Sequence, residues 1–436
     1  MLLHTKYYQL DYEKAAVRWI KSGSTEIVRM IYSAVRDHNW GTVEPKILDE
    51  EISKSENGFH VKTLVQYQQN NIHFQSEYQI IGHSKKLELV MKGKALSTFQ
   101  TCRVGFCVLH PINECASNEC TILHPDGSNE RAIFPEFISP HQPMMNIAGM
   151  EWQPSESISA KLKFEGDIFE MEDQRNWTDA SYKTYCRPLD KSFPFEVKKG
   201  EKINQKIVLE VEGDECSIIE KDETIIFKID KNRTFQIPEL GVCNTNRYDV
   251  ITSSEAEVLK DLPFSHLRAE LRLSEKAWKL NLARIVAESN QLDLPLFLVL
   301  YFSKNWENEW RDLVKAFQNI PVQVNHILIV GKNHLPDDEV LKNIRPKLKK
   351  LFPNAKIGNG VNAYFAELNR NRPKTELADF ISFTISPQVH AFDNASLVEN
   401  LEAQKHTVKS AKKYFPGKPI FVSPITLKQR FNVVAT

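Results

Sequence analysis

The sequence predicts a multidomain β and α/β chain: an antiparallel, supersandwich-like β-sandwich over residues 1–245, then an incomplete TIM-type (β/α)8 barrel of about six strands over 246–436. Two observations carry this. Apolar residues recur with period two up to about Val242, and beyond about Arg247 short apolar strands alternate with amphipathic helices. A length of 436 residues also exceeds what one ordinary core organises, so two or three domains are expected.

In the first part Phe59, Val61, Thr63, Val65 and Tyr67 alternate with mostly polar residues, and Ile72, Phe74, Ser76, Tyr78 and Ile80 repeat the pattern after a Gln-Asn-Asn break. Strand side chains point to opposite faces in turn, so the pair reads as a hairpin with one face buried. Leu87, Leu89 and Met91 continue the meander, and Ile207, Leu209 and Val211 repeat it near the region's end. Two antiparallel sheets packed through their apolar faces follow.

In the second part the expected strands are His266 to Leu273, Pro295 to Phe302, Val324 to Val330, Gly360 to Ala366, Phe380 to Ser386 and Pro419 to Ser423. Trp278, Leu282, Ile285 and Val286 form one helical stripe, and Trp306, Trp310, Leu313 and Phe317 another. Asp337 and Asp338 open a third helix with Leu341, Ile344, Leu348 and Leu351 inward, their carboxylates favouring its positive end. Ser396 with Glu399 reads as a capping box for a helix carrying Leu401, Val408, Ala411 and Phe415. No Gly-rich phosphate fingerprint follows the first strand, which favours a barrel over an open nucleotide-binding sheet. Eight strands usually take about 200 to 250 residues, so six strands ending before Thr436 predict a truncated barrel with open edges. The join near 243–250 has little Pro or Gly and reads as short and stiff.

Lys plus Arg and Asp plus Glu both number 56, so no basic excess points to nucleic acid or acidic lipid. No run approaches the roughly 18 apolar residues of a membrane helix. The amino terminus lacks the pattern of an export signal. Seven cysteines with no dense framework suit reduced thiols and a cytoplasmic location. Cys102, Cys107, Cys115 and Cys120, spaced C-x4-C, x7, C-x4-C, lack defined knuckles and alternate in part with apolar strand residues, so no metal and no cofactor is expected. G-x-S-x-G, G-x-x-x-x-G-K-[ST] and H-E-x-x-H are absent, which removes the minimal parts of serine-hydrolase, nucleotide-triphosphate and zincin chemistry.

Barrel enzymes work at the carboxyl ends of their strands. That rule nominates Glu367, Asn369, Arg370 and Asn371 after the fourth expected strand. Glu367 suits a general acid or base, or an ion pair with Arg370. Gln388, His390 and Asp393 follow the fifth strand, where His390 is either a titrating group or a structural imidazole. Thr426, Arg430 and Asn432 follow the sixth, and an arginine there suits a developing oxyanion. In the sandwich, His141 lies in a Pro-His-Gln-Pro turn and is either a base or a rigid corner. Arg36 and Asp37 beside His38 and Asn39 form a second polar group, and with Glu172, Asp173 and Arg175 they suit a buried network or interdomain glue.

The run FEGDIFEMEDQRNWTDASYKTYC (Phe164 to Cys186), with MIYSAVRDHNWGT (Met30 to Thr42), GFCVLHP (Gly105 to Pro111), FPEFISPHQP (Phe134 to Pro143), SPQVHA and SPITLKQRFN, resembles the D-apionate lactonases. The resemblance spans the whole chain. It implies hydrolysis of D-apionolactone, a branched five-carbon sugar lactone, to D-apionate in apiose catabolism. On this reading Glu367 or His390 is the base, Arg370 or Arg430 faces the oxyanion, and Asn369, Gln388 and Asn432 hold substrate. The partner is then a small sugar lactone. Alternatives are a glycoside hydrolase-like enzyme with Glu367 as one of two carboxylates, and a non-catalytic carbohydrate-binding protein. No motif speaks to oligomeric state.

Overall fold

The computed structural model describes residues 1–217, 228–244, 250–318, 320–428 and 430. Among these the chain divides into two compact units, one of residues 1–175 and 179–217, the other of residues 176–178 and 228–430.

The first unit is an antiparallel sandwich. The hairpin read from sequence is present, Gly58–Gln69 pairing with Ile72–His83 so that Val61 opposes Ile80 and Val65 opposes Ser76. With Pro45–Ser55, Lys86–Ala95, Lys202–Glu212 and Ile158–Glu165 it belongs to a nine-stranded sheet. An eight-stranded sheet has Thr25–Arg36, Arg103–Pro111, Ser181–Tyr185 and Phe169–Asp173 as successive neighbours. Alternate residues of both, such as Val35, Phe106 and Val108 against Val61, Tyr78 and Leu89, build one apolar core. At about 25 cal/mol per Å² of apolar surface removed from water, that shared face is what holds the sheets together.

The second unit is a parallel barrel-like sheet of seven strands among the described residues. They are β1 (Leu240–Cys243), β2 (Phe264–Arg272), β3 (Leu296–Phe302), β4 (Val324–Gly331), β5 (Lys356–Tyr364), β6 (Phe380–Ile385) and β7 (Ile420–Ile425), in that spatial order. Sequence counting starts one strand late. Leu240–Cys243 is four residues long and mostly exposed, too short and mixed for a visible period. Every later strand moves up one place, so Glu367 follows the fifth strand rather than the fourth, and Arg430 follows the seventh. The join read as 243–250 lies mostly outside the described residues, which exclude 245–249.

The connecting helices behave as their stripes predict. Trp278–Leu292 buries Trp278, Leu282 and Ile285, and Asp338–Leu351 buries Leu341, Ile344 and Leu348, with the Asp337 carboxylate accepting from the Val340 amide at 3.1 Å. The last helix, Asn394–Tyr414, departs from expectation. Its cap is Asp393, whose carboxylate accepts from the Ser396 amide (3.0 Å) and hydroxyl (2.8 Å), so Ser396 is already inside the helix and Leu401 stays exposed. A carboxylate three residues upstream outcompetes the hydroxyl read as the cap. No helix of the described residues is long and apolar enough to cross a membrane.

Candidate active site

The barrel interior is apolar at the amino ends of its strands and charged toward the carboxyl ends. Phe297, Phe380 and Phe421 pack with His266 and His326, their ring centroids 4.2 to 6.1 Å apart. Val299, Leu328 and Val330 continue this filling. Along β2 the inward positions then read Arg268, Glu270 and Arg272, while Leu267, Ala269 and Leu271 face the helices and join their core. Period two thus puts three charges into one barrel lumen.

Those charges meet groups from four other segments. Arg268 donates to Glu270 Oε1 and to Asn362 Oδ1, both at 2.8 Å. Arg430 donates to Asn362 Oδ1 at 3.0 Å and pairs with Glu270 Oε1. The Tyr301 hydroxyl donates to Glu270 Oε2 at 3.2 Å and accepts from the Asn362 amide. His334 Nδ1 lies 2.9 Å from the same hydroxyl, and Arg272 Nη2 lies 3.3 Å from His334 Nε2. Since a guanidinium only donates, Nε2 is the acceptor and Nδ1 carries the proton. The Arg272 guanidinium also stacks 4.1 Å over the Tyr301 ring. His334 sits in the left-handed region (φ +68°), anchored by its carbonyl, which accepts from the Asn362 amide at 3.0 Å.

The electrostatics separate the roles. Burial alone would raise the Glu270 carboxyl, but the Arg268 and Arg430 charges outweigh it and hold the pKa down at about 2. His334 is pushed down to about 4, first by burial and then by Arg272. At neutral pH the cluster therefore holds an ionised Glu270, three cationic arginines and a neutral imidazole.

Of the residues nominated from sequence, only Arg430 lies in this cluster. Glu367, Asn369 and Arg370 lie on the short helix Phe365–Arg370 after β5. Glu367 is buried, its pKa raised by that burial, and its Oε2 has no hydrogen-bond partner among the described residues. Asn369 Nδ2 donates to Asn176 Oδ1 at 3.1 Å. The Trp177 ring has the Arg370 guanidinium 5.1 Å above it and the His390 ring 5.5 Å away, edge-on. Helix and imidazole thus converge on residues 176–178, within the same unit. Gln388 is half-buried just past β6, and Asn432 lies outside the described residues.

In the sandwich the expected single network divides in two. Asp37 closes its own turn, accepting from the Asn39 and Gly41 amides at 2.8 Å, while Arg36 donates to the Trp40 carbonyl at 3.1 Å. Asp173 and Arg175 pair at 2.7 Å with both side chains fully buried, and Glu172 pairs with Lys183 at 3.1 Å. Register explains the separation. Arg36 opposes Arg103, whereas Asp173 opposes Tyr182 and through it His110, seven residues along the shared strand, or roughly 23 Å. His141 is exposed in its turn.

Arg268, Glu270, Arg272, Tyr301, His334 and Asn362 escaped sequence reasoning. The available signal was the charge alternation in HLRAELRL, unusual for a parallel strand covered on both faces.

Comparison with known proteins agrees with this architecture. Residues 2–214 match the family model for the D-apionate lactonase N-terminal domain, and residues 240–436 match that for the D-apionate lactonase TIM barrel domain. A D-apionate lactonase of Brucella anthropi is 26% identical over 97% of this chain and 72% of its own length. Among solved structures, a family 36 α-galactosidase from Geobacillus stearothermophilus aligns at 9% identity over 96% of this chain and 71% of its own, with a TM-score of 0.33. A galactose mutarotase related enzyme from Lactobacillus acidophilus aligns at 11% identity over 50% and 99%, also with a TM-score of 0.33. Two models of one family leave only Met1 and residues 215–239 unmatched, and the chain belongs to the D-apionate lactonase family.

Proposed function

We propose that the carboxyl end of the barrel opens the ring ester of a sugar-acid lactone, with D-apionolactone the first substrate to test and D-apionate, an acid of apiose breakdown, the product. The observation that carries this is a neutral imidazole, His334, whose proton-free Nε2 lies beside the Arg272 guanidinium. Ester opening needs a base for water and a donor for the tetrahedral oxygen, and here the two are adjacent.

In this mechanism the Arg272 guanidinium moves off His334 Nε2 toward the lactone carbonyl oxygen, and the freed nitrogen takes a proton from water as the water oxygen bonds to the carbonyl carbon. The carbonyl π electrons move to oxygen, and Arg272 or Arg430 meets the developing charge. Collapse breaks the ring C–O bond, and the imidazolium returns its proton to the leaving alkoxide. The products are one hydroxyl and one carboxylic acid, which ionises in water. Tyr301 and Glu270 hold the imidazole in the required tautomer. Glu367, kept protonated by burial over a wider pH range than usual, is the reserve acid for the leaving oxygen, with Asn369, Arg370, Gln388 and His390 toward the substrate hydroxyls.

The experiment is acid release from D-apionolactone, followed with a pH indicator. His334→Asn is expected to lower kcat by about a hundred- to ten-thousand-fold, and Glu367→Gln to lower it with the fold intact. Wild-type activity should persist down to about pH 5 and fall through about pH 4 as the imidazole protonates. Full turnover in His334→Asn would remove this base. Cleavage of an apioside without lactone opening would favour a glycosidase, and sugar affinity with neither reaction a silent binder.

A further inference from the structure

Arg175 and Asp179 belong to the first unit, whereas the three residues between them, Asn176, Trp177 and Thr178, group with the second. Two hydrogen bonds anchor them there. Asn369 Nδ2 donates to Asn176 Oδ1 at 3.1 Å, and the Thr178 hydroxyl donates to the Ser386 carbonyl at 2.8 Å. Asn369 lies on the helix Phe365–Arg370, which begins directly after β5, and Ser386 directly follows β6, the neighbouring strand. Both anchors thus stand at the carboxyl ends of barrel strands.

The backbone of this short segment is strained. After the 3-10 turn Gln174–Trp177, Thr178 adopts φ +69°, in the left-handed region. That region crowds the Cβ, most of all for a β-branched side chain, and a residue stays in it only where its surroundings fix it. Asn176 and Thr178 are buried, while Trp177 between them is half-buried. The strained turn therefore holds one indole at the barrel rim.

The Arg370 guanidinium lies 5.1 Å over that indole, and the His390 ring stands 5.5 Å away, edge-on. Arg370 is exposed and His390 half-buried, so this corner meets water. One helical turn before Arg370, Glu367 is buried with its Oε2 lacking a hydrogen-bond partner among the described residues. An aromatic face, a cation, an imidazole and a carboxyl with an unused oxygen share the end of the barrel where such enzymes hold substrate.

We propose that Trp177 is a specificity-determining residue, its indole supporting the C–H face of a polyhydroxylated lactone while Arg370 and His390 turn to the hydroxyls of the same ligand. The inference rests on the lactone reading of this rim and adds the residue that chooses among lactones. A sugar ring has an apolar C–H surface and a polar edge. An indole supplies a large rigid apolar face, and guanidinium and imidazole N–H groups meet hydroxyl oxygens. Arg370, on the exposed side, leaves the ring as the ligand enters and exchanges a cation–π contact for hydrogen bonds. An unsubstituted lactone offers those two groups no hydroxyls and covers less of the indole, so it gains less.

The test is steady-state acid release from D-apionolactone and γ-butyrolactone by the full chain, with calorimetric titration of sodium D-apionate as a measurement that needs no turnover. Trp177→Ala is expected to raise KM for D-apionolactone at least tenfold with kcat within threefold of wild type. It should also lower the kcat/KM preference for D-apionolactone over γ-butyrolactone at least tenfold and weaken D-apionate binding at least fivefold. Trp177→Phe, which keeps a flat face, should bring each value back to within threefold of wild type. If Trp177→Ala does not fold, Trp177→Leu, apolar but not flat, takes its place. An unchanged KM and preference, a fall in kcat alone, or a Phe variant as impaired as the Ala variant overturns the proposal. If the wild type opens neither lactone, the lactone reading falls and Trp177 is judged by D-apionate alone. Binding lost in Trp177→Ala and kept in Trp177→Phe then upholds the platform, and absent or unchanged binding overturns it.

Discussion

Replacing Glu270 with glutamine tests whether the barrel cluster is held by charge. Its carboxyl pKa falls from the ordinary 4.5 to about 2 in the folded chain, because Arg268 and Arg430 outweigh burial. A carboxylate depressed in this way adds stability that is fully present above the unfolded pKa and is lost as pH falls through the folded one. At 1.36 kcal/mol per pKa unit the contribution at pH 7 is about 3 kcal/mol, and the same linkage leaves about 1.4 kcal/mol at pH 3. Glu270→Gln should therefore destabilise the barrel by about 3 kcal/mol at pH 7 and by less than half of that at pH 3. Amide hydrogen exchange across β2 and β3, where Arg268, Glu270 and Tyr301 reside, reads this locally in a chain of two units. An equal cost at both pH values would mean that shape and neutral hydrogen bonding, rather than ion pairing, hold the cluster.

Two structural predictions accompany it. Asp173→Asn leaves the fully buried Arg175 without its counter-charge and should cost the sandwich about 3 to 5 kcal/mol in urea unfolding, whereas replacing both partners by apolar residues of similar volume should cost far less. Gly360→Ala should destabilise the barrel by about 1 to 3 kcal/mol in the same exchange measurement. Gly360 has φ +138°, and a Cβ there would lie 2.2 Å from the Ser382 carbonyl oxygen on the neighbouring strand.

The fold was largely legible because burial writes itself into periodicity. Phe59 to Tyr67 and Ile72 to Ile80 have one face in the core, so period two survives in the letters, and Trp278, Leu282 and Ile285 have one helical face inward. Legibility fails where the stabilising group is outside the pattern. Leu240–Cys243 gains its place by pairing with β2, not by its own composition. Ser396-x-x-Glu399 has the letters of a capping box, yet Asp393 takes the amide that such a box would use. The site shows the same limit. Glu367 and Arg430 were found because they follow strands, where the general rule looks for chemistry. Glu270 and Arg272 are not legible by that rule because they lie within a strand, on the face opposite its apolar residues.

How completely each polar group is satisfied also assigns the work within the barrel. Glu270 accepts from Arg268, Arg430 and Tyr301, and the two guanidinium charges keep its affinity for a proton low. A carboxylate so engaged orients its neighbours and makes a poor base. Arg272 Nη2 lies 3.3 Å from His334 Nε2, a long contact, and Glu367 keeps one oxygen with no hydrogen-bond partner among the described residues. Proton transfer needs a group with a site to give or receive, and the proposed mechanism assigns that part to these two. On the proposed mechanism the charge-rich centre therefore fixes geometry and potential, while His334 and Glu367 are where a proton moves.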